Sequence, residues 1–126
     1  MTEFHRYLAY AIPTAFGILV LLSISAFVRN RDPGPLYWNL LGGTQAVVLL
    51  QLVAGIVLFV SGARPQSNGP SWLHYIYGAV FPAIVLAIAH VQSRKREGLT
   101  VAIFGVATFL CTFSTLRALQ TGLGID

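Results

Sequence analysis

The sequence predicts an all-α integral membrane protein, an up-down bundle of four transmembrane helices. Three observations predict it. Of 126 residues, 56% are hydrophobic and only 10% charged, with a mean hydropathy of +0.72. A soluble domain carries about 25% charged residues, so too few are present to cover a water-facing surface, and lipid is the expected solvent. Secondly, the apolar residues fall in four uninterrupted runs. Only helices and closed barrels satisfy their backbone inside a bilayer, and unbroken runs lack the alternation of a barrel strand. Thirdly, the connections are short, which forces consecutive helices to run antiparallel. A single polytopic domain, integral to a cell membrane of the bacterial inner-membrane type, is expected over residues 1–126.

The first span is expected over residues 7–28. Ser23-Ile24-Ser25-Ala26 offers the small residues of a signal-peptide cleavage site. The apolar core, however, exceeds the roughly 7–15 residues of a signal h-region, and Arg29 and Arg31 follow it, so a retained span is the reading. The second is expected over 37–61, after a loop rich in proline and glycine. There Thr44, Gln51, Gly55 and Gly62 follow at steps of 7, 4 and 7, on one helical face. Small and amide-bearing residues in such a pattern make helix–helix seams in lipid; Gln51 as a quinone or substrate contact is the competing reading.

The third span, residues 72–92, follows a Pro/Gly/Ser/Asn turn region over 62–71. It carries His74, Gly78, Phe81 and Val85 on one side and Ala79, Ala83, Ala87 and His90 on another. Its two histidines are 16 residues apart, about 160° of rotation and roughly 24 Å of rise, so they cannot serve one site together. After the charged turn over 93–98 comes the fourth span, 99–120, where Thr108, Cys111, Thr112 and Thr115 make a second seam face.

Orientation follows from the basic residues. Arg29, Arg31, Arg94, Lys95 and Arg96 lie in the first and third loops, and Arg6, Arg64 and Arg117 on the opposite side. Five against three puts the first and third loops in the cytoplasm and both termini outside. Tyr7, Tyr10, Trp72, Tyr75 and Tyr77 then gather at the outer interface, with Tyr37 and Trp38 at the inner one, as aromatic belts do.

Pro13 and Pro82 sit inside the first and third spans. His5 precedes Pro13 by eight residues and His74 precedes Pro82 by the same eight; Phe4-His5 aligns with Leu73-His74, and Ala9 with Gly78. A duplication of a two-helix hairpin would produce this pattern, with chance alignment as its competitor. Under duplication, His5 and His74 stand at equal depth on parallel helices. Two imidazoles from separate helices are what a six-coordinate b-type haem needs, one on each side of the iron. Arg6, Arg64 and Arg117 are the candidate propionate partners on that side. The competing reading leaves both histidines as membrane-border residues with no ligand, where an imidazole costs little. A second haem at His90 lacks a partner histidine at that depth.

Several classes are disfavoured. Cys111 is the single cysteine, so neither an internal disulfide nor a Cys-x-x-Cys motif exists. No serine or cysteine has a histidine beside it as an activating base. The acids Glu3, Asp32, Glu97 and Asp126 all fall in loops or tails, so no carboxylate in a span can couple ion transport, and an enzyme or transporter finds little support. No basic and aromatic footprint for nucleic acid occurs. A bare metal site would want three or more protein ligands. Two functions remain: first, a small non-catalytic accessory subunit of a larger respiratory or photosynthetic membrane complex, packed against a partner protein or its own copies; second, an electron-transfer protein holding one haem b between His5 and His74.

Overall fold

A computed structural model describes residues 3–65, 72–96 and 98–124. Within them all regular structure is helical, and four helices are long and apolar enough to cross a membrane. They are α1 (Glu3–Val28), α2 (Gly34–Val60), a third span running Trp72–Lys95, and α5 (Thr100–Leu123). The third span is not one regular helix. A short α3 (Trp72–Tyr75) passes through a π turn (Ile76–Val80) into α4 (Phe81–Lys95).

The helix ends follow local chemistry. Asn30 takes a left-handed conformation (φ 53°), which asparagine tolerates. Arg31 N–H reaches back to the Ala26 carbonyl at 3.0 Å and Asn30 N–H to that of Phe27 at 3.1 Å, the double bond of a Schellman cap. Asp32 Oδ1 accepts from Gly34 N–H at 2.7 Å and so turns the chain into α2. At the far end of α2 the same cap recurs. Gly62 is left-handed (φ 94°), and Ala63 N–H bonds the Leu58 carbonyl at 2.9 Å. Gly62, expected on the α2 seam, is therefore the residue that ends the helix, and a side chain there would meet nothing within 4 Å. The turn expected over 62–71 lies in part outside the described residues.

α5 packs between α1 and the third span, and α1 also packs on α2. Among the described residues the backbone of α2 comes close to that of the third span only at the π turn, so the fourth seam of the bundle, between α2 and α4, is open. The packed core fills the half away from the helix start of α1: Ile12, Phe16 and Leu19 meet Tyr37 and Leu41, Leu86 and Ala89, and Phe104, Ala107 and Cys111. The buried residues of α4 are Pro82, Leu86 and Ala89; the alanines at 83 and 87 face outward.

The close approaches fall at glycines other than those expected. A Cβ on Gly105 would stand 3.3 Å from Ser23 Cβ, and one on Gly78 would stand 3.3 Å from Ala118 Cβ. These positions let α5 lie tight against α1 and the third span, as small residues do in lipid. The seam threonines bond within their own helices rather than across. Thr108 donates to the Phe104 carbonyl at 2.7 Å, Thr112 to Thr108 at 2.8 Å, Thr115 to Cys111 at 2.7 Å and Thr44 to Leu40 at 2.7 Å. The bonds between helices come from other side chains, such as Ser23 with the Tyr37 hydroxyl at 2.8 Å, buried between α1 and α2.

The π turn has a backbone reason. Phe81 N–H bonds the Ile76 carbonyl, five residues back. In that register the Tyr77 carbonyl would next take the N–H of residue 82, which is proline and has none. Ser114 on α5 supplies the missing donor through its hydroxyl.

Candidate functional site

His5 stands in the first turn of α1, which begins at Glu3, and it is buried. His74 stands in α3, just ahead of the π turn. The two rings face each other across the bundle, their centres 6.3 Å apart and their planes 62° from parallel. A cavity of about 210 Å³ is lined by both, together with Gln51, Gly55, Gly78 and Thr115 among others. It lies at the end of the bundle where α2 packs on the π turn.

Each ring is fixed from a different neighbour. His74 Nδ1 is 2.9 Å from the Ala118 carbonyl and 3.0 Å from Thr121 Oγ1, both on α5. A carbonyl only accepts, so Nδ1 carries the proton and Nε2 keeps its lone pair. His5 is approached by Gln51 of α2. The amide donates to the His5 carbonyl at 3.1 Å and lies 3.5 Å from His5 Nε2, the outer limit of a hydrogen bond. Gln51 Oε1 is buried with no hydrogen-bond partner among the described residues. Gly55, one turn along α2, makes room for the ring: a Cβ there would stand 3.7 Å from His5 Cε1, ordinary contact, and anything longer would enter the ring's space. Gln51 and Gly55 thus meet His5 where α2 packs on α1.

The three candidate arginines part company. Arg64 lines a smaller cavity of about 40 Å³ that shares His5, Gly55, Phe59, His74 and Tyr75 with the first. Its guanidinium lies 4.0 Å over the Phe59 ring and bonds the Phe59 and Ala63 carbonyls at 3.0 and 2.8 Å. Arg6 is exposed and pairs with Glu3 at 3.6 Å. Arg117 bonds Gln120 at 3.2 Å and lines a separate groove with Tyr77, Phe81 and Phe113. Only Arg64 of the three stands with the histidine pair.

The donor set suits haem better than a bare ion. Two imidazoles from separate helices would be the donor pair of a b-type haem, which would supply a one-electron couple. The ring centres are 6.3 Å apart, a spacing that would admit one iron between them. An Nδ1–H held by a backbone carbonyl is the support metal-bound histidines usually have. No group of three or more His, Cys, Asp or Glu side chains that could hold an ion occurs among the described residues. The cavity is smaller than a ligand pocket's usual 300–1,000 Å³, and the α2 residues lining it, Leu52, Ile56 and Phe59, are themselves exposed. A macrocycle would have to extend past them toward lipid.

Comparison with protein-family models, curated proteins and solved structures finds no match.

Sequence reasoning missed Gln45, which lies 3.0 Å from His90 across the open α2–α4 seam, as well as the π turn and the two close-packed glycines. The signal for Gln45 was present, since an amide in a membrane span is rare enough to be weighed.

Proposed function

We propose that this chain is a small membrane cytochrome that holds one b-type haem between His5 and His74 and carries electrons. The observation that carries this reading is the hydrogen bond from His74 Nδ1 to the Ala118 carbonyl. It fixes the tautomer that leaves Nε2 unprotonated, 16 residues from the nearest other histidine of its helix and opposite the one on α1. Haem, when bound, supplies a one-electron couple. The chain's residues would do the rest: His5 and His74 would hold the iron, Gly55 leaves space beside the His5 ring, and the largely apolar lining of the cavity would keep water from it. Arg64 is the cation best placed for a propionate, since its cavity adjoins both rings. In this reading the haem lies on the outer side of a bacterial inner membrane, with both termini there.

The test is haem content. His5→Ala and His74→Ala should each lose haem while keeping the helical content of the parent. Full haem in either variant would remove that residue as a ligand. An accessory subunit of a respiratory or photosynthetic complex is what a protein unable to bind haem would leave.

A further inference from the structure

Arg117 stands apart from the histidine pair and has a groove of its own. The groove, of about 490 Å³, runs between the third span and α5. It shares no lining residue with the cavity between the histidines. Tyr77 and Phe81 form one wall, tied to α5 where the Ser114 hydroxyl bonds the Tyr77 carbonyl. Leu110 and Phe113 form the other, and Arg117 and Gln120 follow toward the end of α5. Phe81, Leu110 and Phe113 are exposed, so the apolar part of the groove is open to whatever surrounds the bundle.

Charge, length and polarity of the groove point to one kind of ligand. Arg117 is half-buried, and six residues of α5 follow it to Leu123, about 9 Å of helix. A cation that far inside a span is costly unless it is paired. Among the described residues no carboxylate pairs with it. Its hydrogen bond there runs from Nη1 to the neutral Gln120 Oε1, while a guanidinium carries five N–H donors. From Leu110 to Gln120 the groove follows α5 for ten residues, roughly 15 Å of rise. That is half of the ~30 Å hydrocarbon core, the depth of a single leaflet. A soluble anion has no use for the apolar part of such a groove, and an uncharged chain has none for the guanidinium.

We infer that this groove binds an anionic phospholipid. Its phosphate accepts from the Arg117 guanidinium, and one acyl chain lies along Phe81, Leu110 and Phe113. Arginine meets phosphate through two parallel N–H bonds, and basic pockets between membrane helices hold anionic headgroups. The lipid belongs to the leaflet at the C-terminal end of α5. The site stands whether or not haem binds between the histidines.

Quenching of a tryptophan by brominated lipid tests it. The chain has two tryptophans; Trp38→Phe with Trp72→Phe removes both, and Phe113→Trp then puts one reporter in the groove. Leu50→Trp in the same background is the control, since Leu50 is exposed and lies ten residues from the end of α2, as Phe113 does from that of α5. Each protein is placed in vesicles of equal parts phosphatidylglycerol and phosphatidylcholine, with the acyl chains of one lipid or the other brominated. The reporter at position 113 should favour brominated phosphatidylglycerol about fivefold, the scale of one arginine meeting an anionic lipid. Adding Arg117→Gln should bring the two lipids to parity with helical content unchanged, and the reporter at position 50 should show parity throughout. Parity at position 113 with Arg117 present, or a preference that survives Arg117→Gln, overturns the assignment. An equal preference at position 50 does so too, even where Arg117→Gln fails to fold, because net charge alone would then explain it. A preference abolished by inorganic phosphate at constant ionic strength would make this a site for the free anion and overturn the lipid.

Discussion

At His74 the proton sits on Nδ1 because a backbone carbonyl can only accept it, and several residue-scale consequences follow. Thr121 shares that proton at 3.0 Å. Thr121→Val should weaken haem binding by about 10–100-fold, the usual cost of removing such a supporting bond, as read by absorbance titration of the haem-free protein. Unchanged affinity would mean that Ala118 alone orients the ring. Gly55 tells a different story. Gly55→Ala should be tolerated, since its Cβ meets His5 at an ordinary 3.7 Å. Gly55→Leu should abolish haem binding with the helices intact, because the longer side chain occupies the ring's space. Two matching His-to-Pro spacings singled out His5 and His74 in the sequence, and their ring centres lie 6.3 Å apart. The role of Gln51 was not legible. Its helical face could be read, but which neighbour that face would meet depends on the rotation of α2 against α1, which packing sets.

At the scale of elements, the third span shows why equal spacing is not equal geometry. His5 and Pro13 are joined by regular α-helix, whereas His74 and Pro82 are separated by a π turn. The eight residues therefore turn by different angles in the two spans, and the duplication suggested by the spacing has no structural confirmation. Apolar run length locates a span but does not register an inserted π turn, because the hydropathy of Ile76–Val80 is the same in either form. Ser114 holds this element by donating to the Tyr77 carbonyl. Ser114→Ala should cost about 1–3 kcal/mol, the penalty of a buried acceptor left unpaired, measured by reversible unfolding in mixed detergent. A neutral effect would mean that another donor takes the carbonyl. At the α1–α5 contact, Gly105→Leu should cost at least about 1–3 kcal/mol by overpacking against Ser23, whereas Gly42→Leu, which faces open space, should cost little. Of the glycines expected to pack, Gly55 faces the His5 ring and Gly62 caps α2, whereas the closest approaches are made at Gly78, in the π turn, and Gly105.

For the whole molecule, composition made the four helices and their order legible, because 10% charge and four long apolar runs admit few other arrangements. The open α2–α4 seam was not legible, because run lengths and loop lengths do not say which of four seams closes. Orientation rests on five basic residues against three. In a Cys111→Ala background, Ser61→Cys should react with an impermeant maleimide in intact cells, and Arg31→Cys only after the membrane is opened; the reverse pattern would invert the topology.

The central claim is that one haem sits between His5 and His74, and a reduced-minus-oxidised visible spectrum of the purified protein tests it most directly. Sharp b-type bands are expected at about one haem per chain, the capacity of one pair of axial imidazoles, and they should vanish in both His5→Ala and His74→Ala. A protein that stays colourless when haem is supplied during expression, or bands that survive both substitutions, would contradict it.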